Sequence, residues 1–310
     1  MLYSTVSLDR TEQERVIALV GPTAVGKTAV GMELAALLEG AAEIISVDSV
    51  QVYRHLDIGS AKPTPEERGM VPFHLIDVVD PDEDFTVADF QRLAADAQRG
   101  ILAQGSTALL VGGTGLYFRA ISTRLDIPHT PPDPEFRARW QAVATEQGAT
   151  ALRDYLMSID ADAALAIHPN DVRRMIRAIE VFEKTGKPLS QWHLENRQEQ
   201  SDSSSATCLY CLDRERDELY RAIDQRVDEM VEKGLIDEVE TLRARGYDSS
   251  LKSMQTLGYR QINAFLNGEL SRQEAIDDTK TVTKQFARRQ LIWFRGDKRL
   301  EWVHSEGQTA

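Results

Sequence analysis

Five apolar residues, Val16–Val20 (VIALV), run without a break into Gly21–Thr28, GPTAVGKT. The octapeptide fits the pattern G-x-x-x-x-G-K-[ST]. After it, Thr28 to Glu39 carries apolar residues at Val30, Leu34, Leu37 and Leu38, the spacing of a helix, and Gly40 supplies a stop. A buried strand, a glycine-bearing turn and a helix in that order are the context in which the pattern binds phosphate. The glycines let backbone N–H groups close around phosphate oxygens, and the helix N-terminus adds a positive partial charge. Gly21, Pro22, Thr23, Ala24, Val25, Gly26, Lys27 and Thr28 are therefore predicted to cradle phosphate. Lys27 supplies a full positive charge, and the Thr28 hydroxyl is the candidate ligand for Mg²⁺.

The rest of the chain extends this unit into a sheet. Glu43–Val47, Leu75–Val79 and Thr107–Val111 read as further strands, with helical periodicity over Val87–Leu102. Strands alternating with helices predict an α/β fold, a parallel sheet covered on both faces. After Leu125 the texture changes. A proline-rich stretch, IPHTPPDPEF, leads into three helical segments, Pro134–Glu146, Thr150–Ser158 and Asp171–Thr185, followed by a serine-rich loop, EQSDSSSAT. Thr207–Leu212 reads as a fifth strand, and Asp213–Arg295 as mostly helical. The expected organisation is a core formed by 1–124 and 201–310, interrupted by an all-helical insertion at 125–200. A chain of 310 residues with 42% apolar content is large enough for both.

Composition narrows the function. The net charge of −13 disfavours holding nucleic acid by bulk charge and leaves only local basic patches. Two cysteines, Cys208 and Cys211, make no disulfide framework, and the C-x-x-C they form has no second pair or histidine pair to make a zinc site. No apolar run is long enough to cross a membrane, and the N-terminus lacks a basic start followed by an apolar stretch. A cytoplasmic protein is expected.

A phosphate-binding loop does not name a reaction. A nucleotide hydrolase calls for an apolar strand ending in a Mg²⁺-holding aspartate, yet Thr107–Val111 ends in Gly112-Gly113-Thr114. The strand that does end in a carboxylate is Glu43–Val47, followed by Asp48. That position, at the C-terminal edge of a parallel sheet, is where such sheets put their ligands. Asp48 then accepts a proton or holds a metal, or simply caps a turn. Arg226 shares or borders a helix face with Leu219, Ile223, Val227 and Met230. An arginine beside a buried stripe needs an anionic partner, either a phosphate ligand or a carboxylate of the fold.

Six blocks in order resemble the tRNA dimethylallyltransferases: GPTAVGKT, DSVQVYRHLDIGSAKP, HLIDVVDPDEDFTVADF, LLVGGTGLYFRA, HPNDVRRMIRAIEVF and ARRQLIWFR. Together they span about Val16 to Trp302. The resemblance implies a P-loop NTPase-like parallel sheet and transfer of the dimethylallyl group of dimethylallyl diphosphate to N6 of the adenosine immediately 3′ of the anticodon. It casts Asp48 as general base, with Lys27, Mg²⁺ near Thr28 and Arg226 on the diphosphate, and Thr114 framing the reacting centre. Where family members often carry another arginine, four positions before Arg226, this chain has Ala222.

The same resemblance implies contacts to the tRNA anticodon stem-loop from Asp48, Ser49, Val50, Gln51, Thr114, Arg137, Arg173, Arg174, Met175, Ile176 and Arg177. Gln255, Thr256, Leu257, Gly258, Tyr259 and Arg260 complete that set, on a protein expected to be a monomer. Charge distribution leaves room for this: Thr279–Arg299 carries seven bases against one acid. Within it Lys280, Lys284 and Arg288 form one helical stripe, and Arg173, Arg177 and Lys184 form another. Each stripe is either a phosphate contact or a solvated face. Trp293 and Phe294 are expected in the core. The rival functions are a P-loop kinase, a prenyltransferase acting on free adenine nucleotides, and a non-catalytic nucleotide switch.

Overall fold

A computed structural model describes residues 16–38, 41–123, 125–128, 130–131, 133–202 and 208–304, with the backbone alone for 196–202. The N-terminal expectation and the stop at Gly40 lie outside these residues. The chain divides into two compact units, Met1–Ser122 with Ser205–Ala310, and Thr123–Ser204.

The elements follow in chain order as β1 (Val16–Val20), α1 (Lys27–Leu37), β2 (Ala42–Val47), α2 (Pro65–Met70), β3 (Phe73–His74), α3 (Val87–Ala103), β4 (Thr107–Gly112) and α4 (Gly115–Ser122). The second unit holds α5 (Pro134–Gln147), α6 (Ala149–Ile159), α7 (Ala161–Ala166), α8 (Val172–Thr185) and α9 (Leu189–Asp202). The chain then returns to the first unit as β5 (Cys208–Asp213), α10 (Arg216–Glu232), α11 (Leu235–Ala244), α12 (Tyr259–Leu266), α13 (Arg272–Arg295) and β6 (Glu301–His304).

All six strands are parallel, in the order β3-β2-β4-β1-β5-β6. The central strands β1 and, over Ala108–Val111, β4 are continuously apolar because both faces are covered. Alternate residues feed two cores. Val16, Ala18, Ile45 and Leu110 pack with Phe90 of α3, Phe118 of α4 and Phe294 of α13. Ile17, Leu19, Ile44 and Leu109 pack with Ala35 of α1 and Leu219 and Ile223 of α10. Gly112 is in register with both Val20 and Val47, so three strands end at one level of the sheet edge. A Cβ on Gly112 would lie 2.1 Å from the Val47 carbonyl oxygen, so only glycine lets β2 and β4 converge there.

Two expectations need correction, and one strand is new. The third strand is not Leu75–Val79 but the two-residue β3. Leu75 and Asp77 take positive φ of 62° and 56°, which ends the extended run, and Val79 is left with an isolated bridge to Tyr53. The bend places the Asp77 carboxylate between the Lys62 ammonium (2.6 Å) and the Arg68 guanidinium (2.7 Å). Residues 199–202, expected in the serine-rich loop, belong to α9, which continues through Asp202; residues 203–207 lie outside the described residues. A sixth strand, β6, extends the sheet beside β5. It is short and mostly exposed, so its sequence lacks the apolar run that marks the others.

In the second unit Phe136, Leu152, Leu156, Met175, Ile176 and Ile179 form the core. The Asp160 carboxylate accepts from the Ala163 N–H at the start of α7 and from the Ser190 N–H at the start of α9. That joins two helix starts through one side chain. Among the described residues no helix is long and apolar enough to cross a membrane.

Candidate active site

The aligned ends of β1, β2 and β4 release three loops at the same edge: 21–26, 48–51 and 113–114. They form one side of a cavity of about 420 Å³, entirely within the first unit. Helices α10 and α13 and the 255–260 segment form the other side.

The loop after β1 is wound by backbone that side chains rarely adopt. Ala24 has φ 62°, and Gly26 has φ 99° where it caps α1. Gly21 passes so close to β5 that a Cβ would lie 2.6 Å from the Leu212 carbonyl oxygen. Thr23, Ala24, Gly26, Lys27 and Thr28 line the cavity, whereas Val25 is turned into the core and Pro22 acts through its carbonyl. That carbonyl accepts from the Lys27 ammonium at 2.7 Å. Burial, reinforced by the Arg226 guanidinium, lowers the Lys27 pKa to about 7, with Asp48 pulling the other way. Burial likewise lowers the Arg226 pKa, again opposed by Asp48. Two cations that burial disfavours, facing one cavity, constitute a site whose charge suits a polyanion.

Asp48 caps a turn, one of the roles the sequence left open, and keeps its second carboxylate oxygen out of that cap. Its Oδ1 caps the turn, accepting from the N–H groups of Val50 (2.8 Å) and Gln51 (3.2 Å). Its Oδ2 makes no hydrogen bond among the described residues, and the side chain borders the cavity. Thr114 stitches the loop after β4 to this turn. Its hydroxyl oxygen accepts from the Ser49 N–H at 3.1 Å, and its own N–H donates to the Val47 carbonyl at 3.1 Å. Arg226 forms no ion pair among the described residues, so the expected carboxylate alternative is not realised there. Neighbouring Ile223 and Val227 are buried as the helix face predicts, and Arg221 is exposed.

Thr28 offers a hydroxyl to the cavity and Asp48 a carboxylate, and no group of three His, Cys, Asp or Glu side chains gathers for a metal among the described residues. That donor set does not make a closed metal cage. It fits Mg²⁺, which keeps several waters and leans on one or two protein oxygens plus substrate phosphate.

The remaining sequence-predicted residues are distributed unevenly. Gln51 spends its amide inside the protein, accepting from the Ser46 hydroxyl (2.8 Å) and donating to the carbonyls of Ser60 (3.3 Å) and Ala61 (3.1 Å). Gln255, Thr256, Leu257, Gly258 and Arg260 border the cavity. Tyr259 is fully buried and donates its hydroxyl to Glu238 at 2.6 Å, which with burial pushes its pKa up. The same Glu238 accepts from the N–H groups of Asp57, Ile58 and Gly59, fixing the loop that carries Ser60 and Ala61.

Arg137, Arg173, Arg174, Met175, Ile176 and Arg177 all belong to the second unit. Arg173 and Arg174 are exposed, the latter 3.4 Å from Asp171. Met175 and Ile176 are buried in the core, so their side chains cannot present themselves to a polymer. Arg137 and Arg177 both bind Glu180, at 2.8 and 2.7 Å, and that carboxylate is 0% exposed. Burial pushes Glu180 up, but the two arginines outweigh it and hold its pKa below the usual range. The stripe of Arg173, Arg177 and Lys184 is thus largely an internal lattice, since Lys184 pairs with Asp133 at 2.8 Å. The second stripe behaves similarly: Lys280 and Lys284 reach Asp228 and Asp224 of α10, each at 2.6 Å, and only Arg288 is left exposed.

Sequence reasoning missed the α13 wall. Thr279, Thr283, Phe286 and Gln290 border the cavity at alternating spacings of four and three, one helix face that the charge pattern obscured. Phe294 is in the core as expected, but Trp293 is 41% exposed, packed against Gly115 where a Cβ would meet its ring at 2.3 Å.

A parallel sheet whose first strand feeds a GKT loop, opposite a strand ending in a carboxylate, defines a protein of the P-loop NTPase-like class. The comparisons narrow that class. The IPP transferase family model matches residues 51–297 and an isopentenyl transferase model matches 14–73. The chain belongs to the IPP transferase family. A tRNA dimethylallyltransferase of Carboxydothermus hydrogenoformans is 46% identical over 292 residues, 94% of this chain and 92% of the relative. The crystal structure of a full-length tRNA isopentenylpyrophosphate transferase from Bacillus halodurans matches with TM-score 0.68 and 43% identity, covering 94% of this chain and 90% of that one. A eukaryotic dimethylallyltransferase described as acting on tRNA matches with TM-score 0.72 and 25% identity, covering 94% and 74%.

Proposed function

We propose that the chain transfers the dimethylallyl group of dimethylallyl diphosphate to N6 of the adenosine immediately 3′ of the anticodon in tRNA. The observation that carries this is the pairing, across one cavity, of a cationic phosphate-binding loop with a carboxylate whose Oδ2 is unengaged. The diphosphate lies in the 21–28 loop, between Lys27 and Arg226. The dimethylallyl group faces the apolar side chains of Ile223, Val227, Met230 and Phe286. N6 attacks the first allyl carbon, the bond from that carbon to the diphosphate oxygen breaks, and the N6 proton passes to Asp48. Diphosphate leaves with both electrons of the broken bond. Lys27 and Arg226 gain stabilising contact as charge builds on the leaving group. Thr28 and the diphosphate would hold Mg²⁺, which would supply further charge neutralisation there. Reaching Asp48 requires the adenosine to be splayed out of the anticodon loop.

The protein is proposed to work as a cytoplasmic monomer. A transfer assay tests the function. With Mg²⁺ and labelled dimethylallyl diphosphate, label enters tRNA and not AMP. Label in AMP would move the function to free nucleotides, and no label in either would return the loop to nucleotide chemistry.

A second prediction concerns the RNA. Reversing Arg173 and Arg174 to glutamate weakens tRNA binding and flattens its dependence on salt by about one to two counterions. These two are chosen because Arg137 and Arg177 neutralise the buried Glu180, so changing them would disturb the fold itself. An unchanged Kd and salt slope would return Arg173 and Arg174 to a solvated face.

A further inference from the structure

Gln290 sits on the cavity face of α13 and is 7% exposed, yet its amide makes no bond within its own helix. Its Oε1 accepts from the N–H of Thr23 at 2.9 Å, and its Nε2 donates to the carbonyl of Gly113 at 2.8 Å. Thr23 belongs to the phosphate-binding loop after β1. Gly113 belongs to the loop after β4, immediately before Thr114. The contact leaves no room at Gly113, where a Cβ would lie 2.4 Å from the Gln290 nitrogen. A buried amide costs free energy unless both its ends are bonded, and leucine or methionine fills similar volume without that cost. Packing alone therefore does not account for a glutamine here. What the amide supplies is one acceptor and one donor, matched to one N–H and one carbonyl on two different loops.

We propose that Gln290 is a positioning residue for the transfer reaction. Its amide locks the phosphate-binding loop to the loop carrying Thr114. The diphosphate is thereby held at a fixed distance from the turn containing Ser49 and Asp48, to which Thr114 is itself bonded. The chain of contacts is continuous: Thr23 N–H to Gln290, Gln290 to Gly113, and the adjoining Thr114 to Ser49. Displacement of reacting groups by about an ångström costs on the order of 10²-fold in rate, which is the sensitivity such a lock would guard. The inference rests on the reading of the cavity as a prenyl-transfer site.

The test compares wild type with Gln290→Met and Gln290→Glu in the full chain. Gln290→Met keeps the volume and removes both bonds. Gln290→Glu keeps the acceptor for Thr23 and turns an oxygen toward the Gly113 carbonyl, so it serves if the first variant does not fold. Four quantities are read: kcat, KM for dimethylallyl diphosphate, Kd for inorganic diphosphate by calorimetry, and Tm. In either variant kcat falls about tenfold or more well below Tm, and inorganic diphosphate binds several-fold more weakly, as expected for misplaced loops. Adding Thr114→Ala to Gln290→Met lowers kcat no further than Thr114→Ala alone, because both changes break one chain of contacts. A folded variant with wild-type kcat and diphosphate Kd overturns the proposal, as do fully additive effects in the double variant. The diphosphate titration separates this from the function above. If wild type transfers no prenyl group but the variants still lose diphosphate affinity, the lock stands and the function falls.

Discussion

Asp48→Ala lowers kcat by about 10²–10⁴-fold, the usual range for a lost general base, while tRNA and dimethylallyl diphosphate still bind. The geometry sets a control that the sequence did not suggest. Because Oδ1 holds the N–H groups of Val50 and Gln51, alanine also releases the turn. Asp48→Asn separates the two roles. Its carbonyl oxygen can still accept from Val50 and Gln51, but an amide cannot take the N6 proton. The asparagine variant should therefore match alanine in kcat and match wild type in Tm. If it retained wild-type kcat, Asp48 would be a turn cap and nothing more, and the proton would have to leave by another route.

Lys27→Met produces the second large effect, and it acts in opposite directions on binding and stability. Loss of the ammonium weakens diphosphate binding and lowers kcat by about 10²–10³-fold, the range seen for removal of a group that stabilises developing charge. The same change stabilises the ligand-free protein. Burial and Arg226 bring the Lys27 pKa down to about 7 from 10.5. A base with a depressed folded pKa costs stability in full below that value, and the cost fades as pH rises toward its unfolded value. Lys27→Met should thus raise Tm by roughly 2–5 °C near neutral pH, with the gain shrinking toward pH ~10. Bound diphosphate favours the charged lysine, so wild-type binding takes up a proton and weakens as pH climbs above about 7. Measured with dimethylallyl diphosphate, an ester, between about pH 7.5 and 9.5, past the last ionisation of a phosphate ester at ~6, this slope belongs to the lysine. Calorimetry in buffers of different ionisation enthalpy reads the proton directly. A pH-independent affinity with no proton uptake would show that Lys27 is charged throughout, and the stability gain would vanish with it.

The arginines show where local sequence patterns stop being informative. Arg173, Arg177 and Lys184 share a helix face, and spacing alone offers a phosphate-binding stripe. In the folded unit two of those three are committed, Arg177 to Glu180 and Lys184 to Asp133. Glu180 lies three residues from Arg177 in an apolar helix face, and nothing in its spacing shows that α5 delivers Arg137 to it. Lys280 and Lys284 repeat the lesson, since their partners on α10 lie more than fifty residues earlier in the chain. Trp293 departs from expectation for a related reason. It packs against Gly115, whose missing side chain admits the ring, while part of the indole stays exposed.

Elements whose cause is local follow from the residues alone. An apolar run had to become β1, the glycines of GPTAVGKT had to become a tight strand-to-helix turn, and alternating strands and helices had to become a parallel sheet. Asp48 was legible as a carboxylate at the sheet edge because edge position follows from strand ends. Tertiary structure alone decided which loops meet. Gly112 stands in register with both Val20 and Val47, so residues 26, 48 and 114 converge although the chain separates them widely. It also decided that α13 returns to close the cavity with Gln290, and that β6 finds an edge beside β5. Such pairings are set by packing between distant segments, and local periodicity carries no record of them.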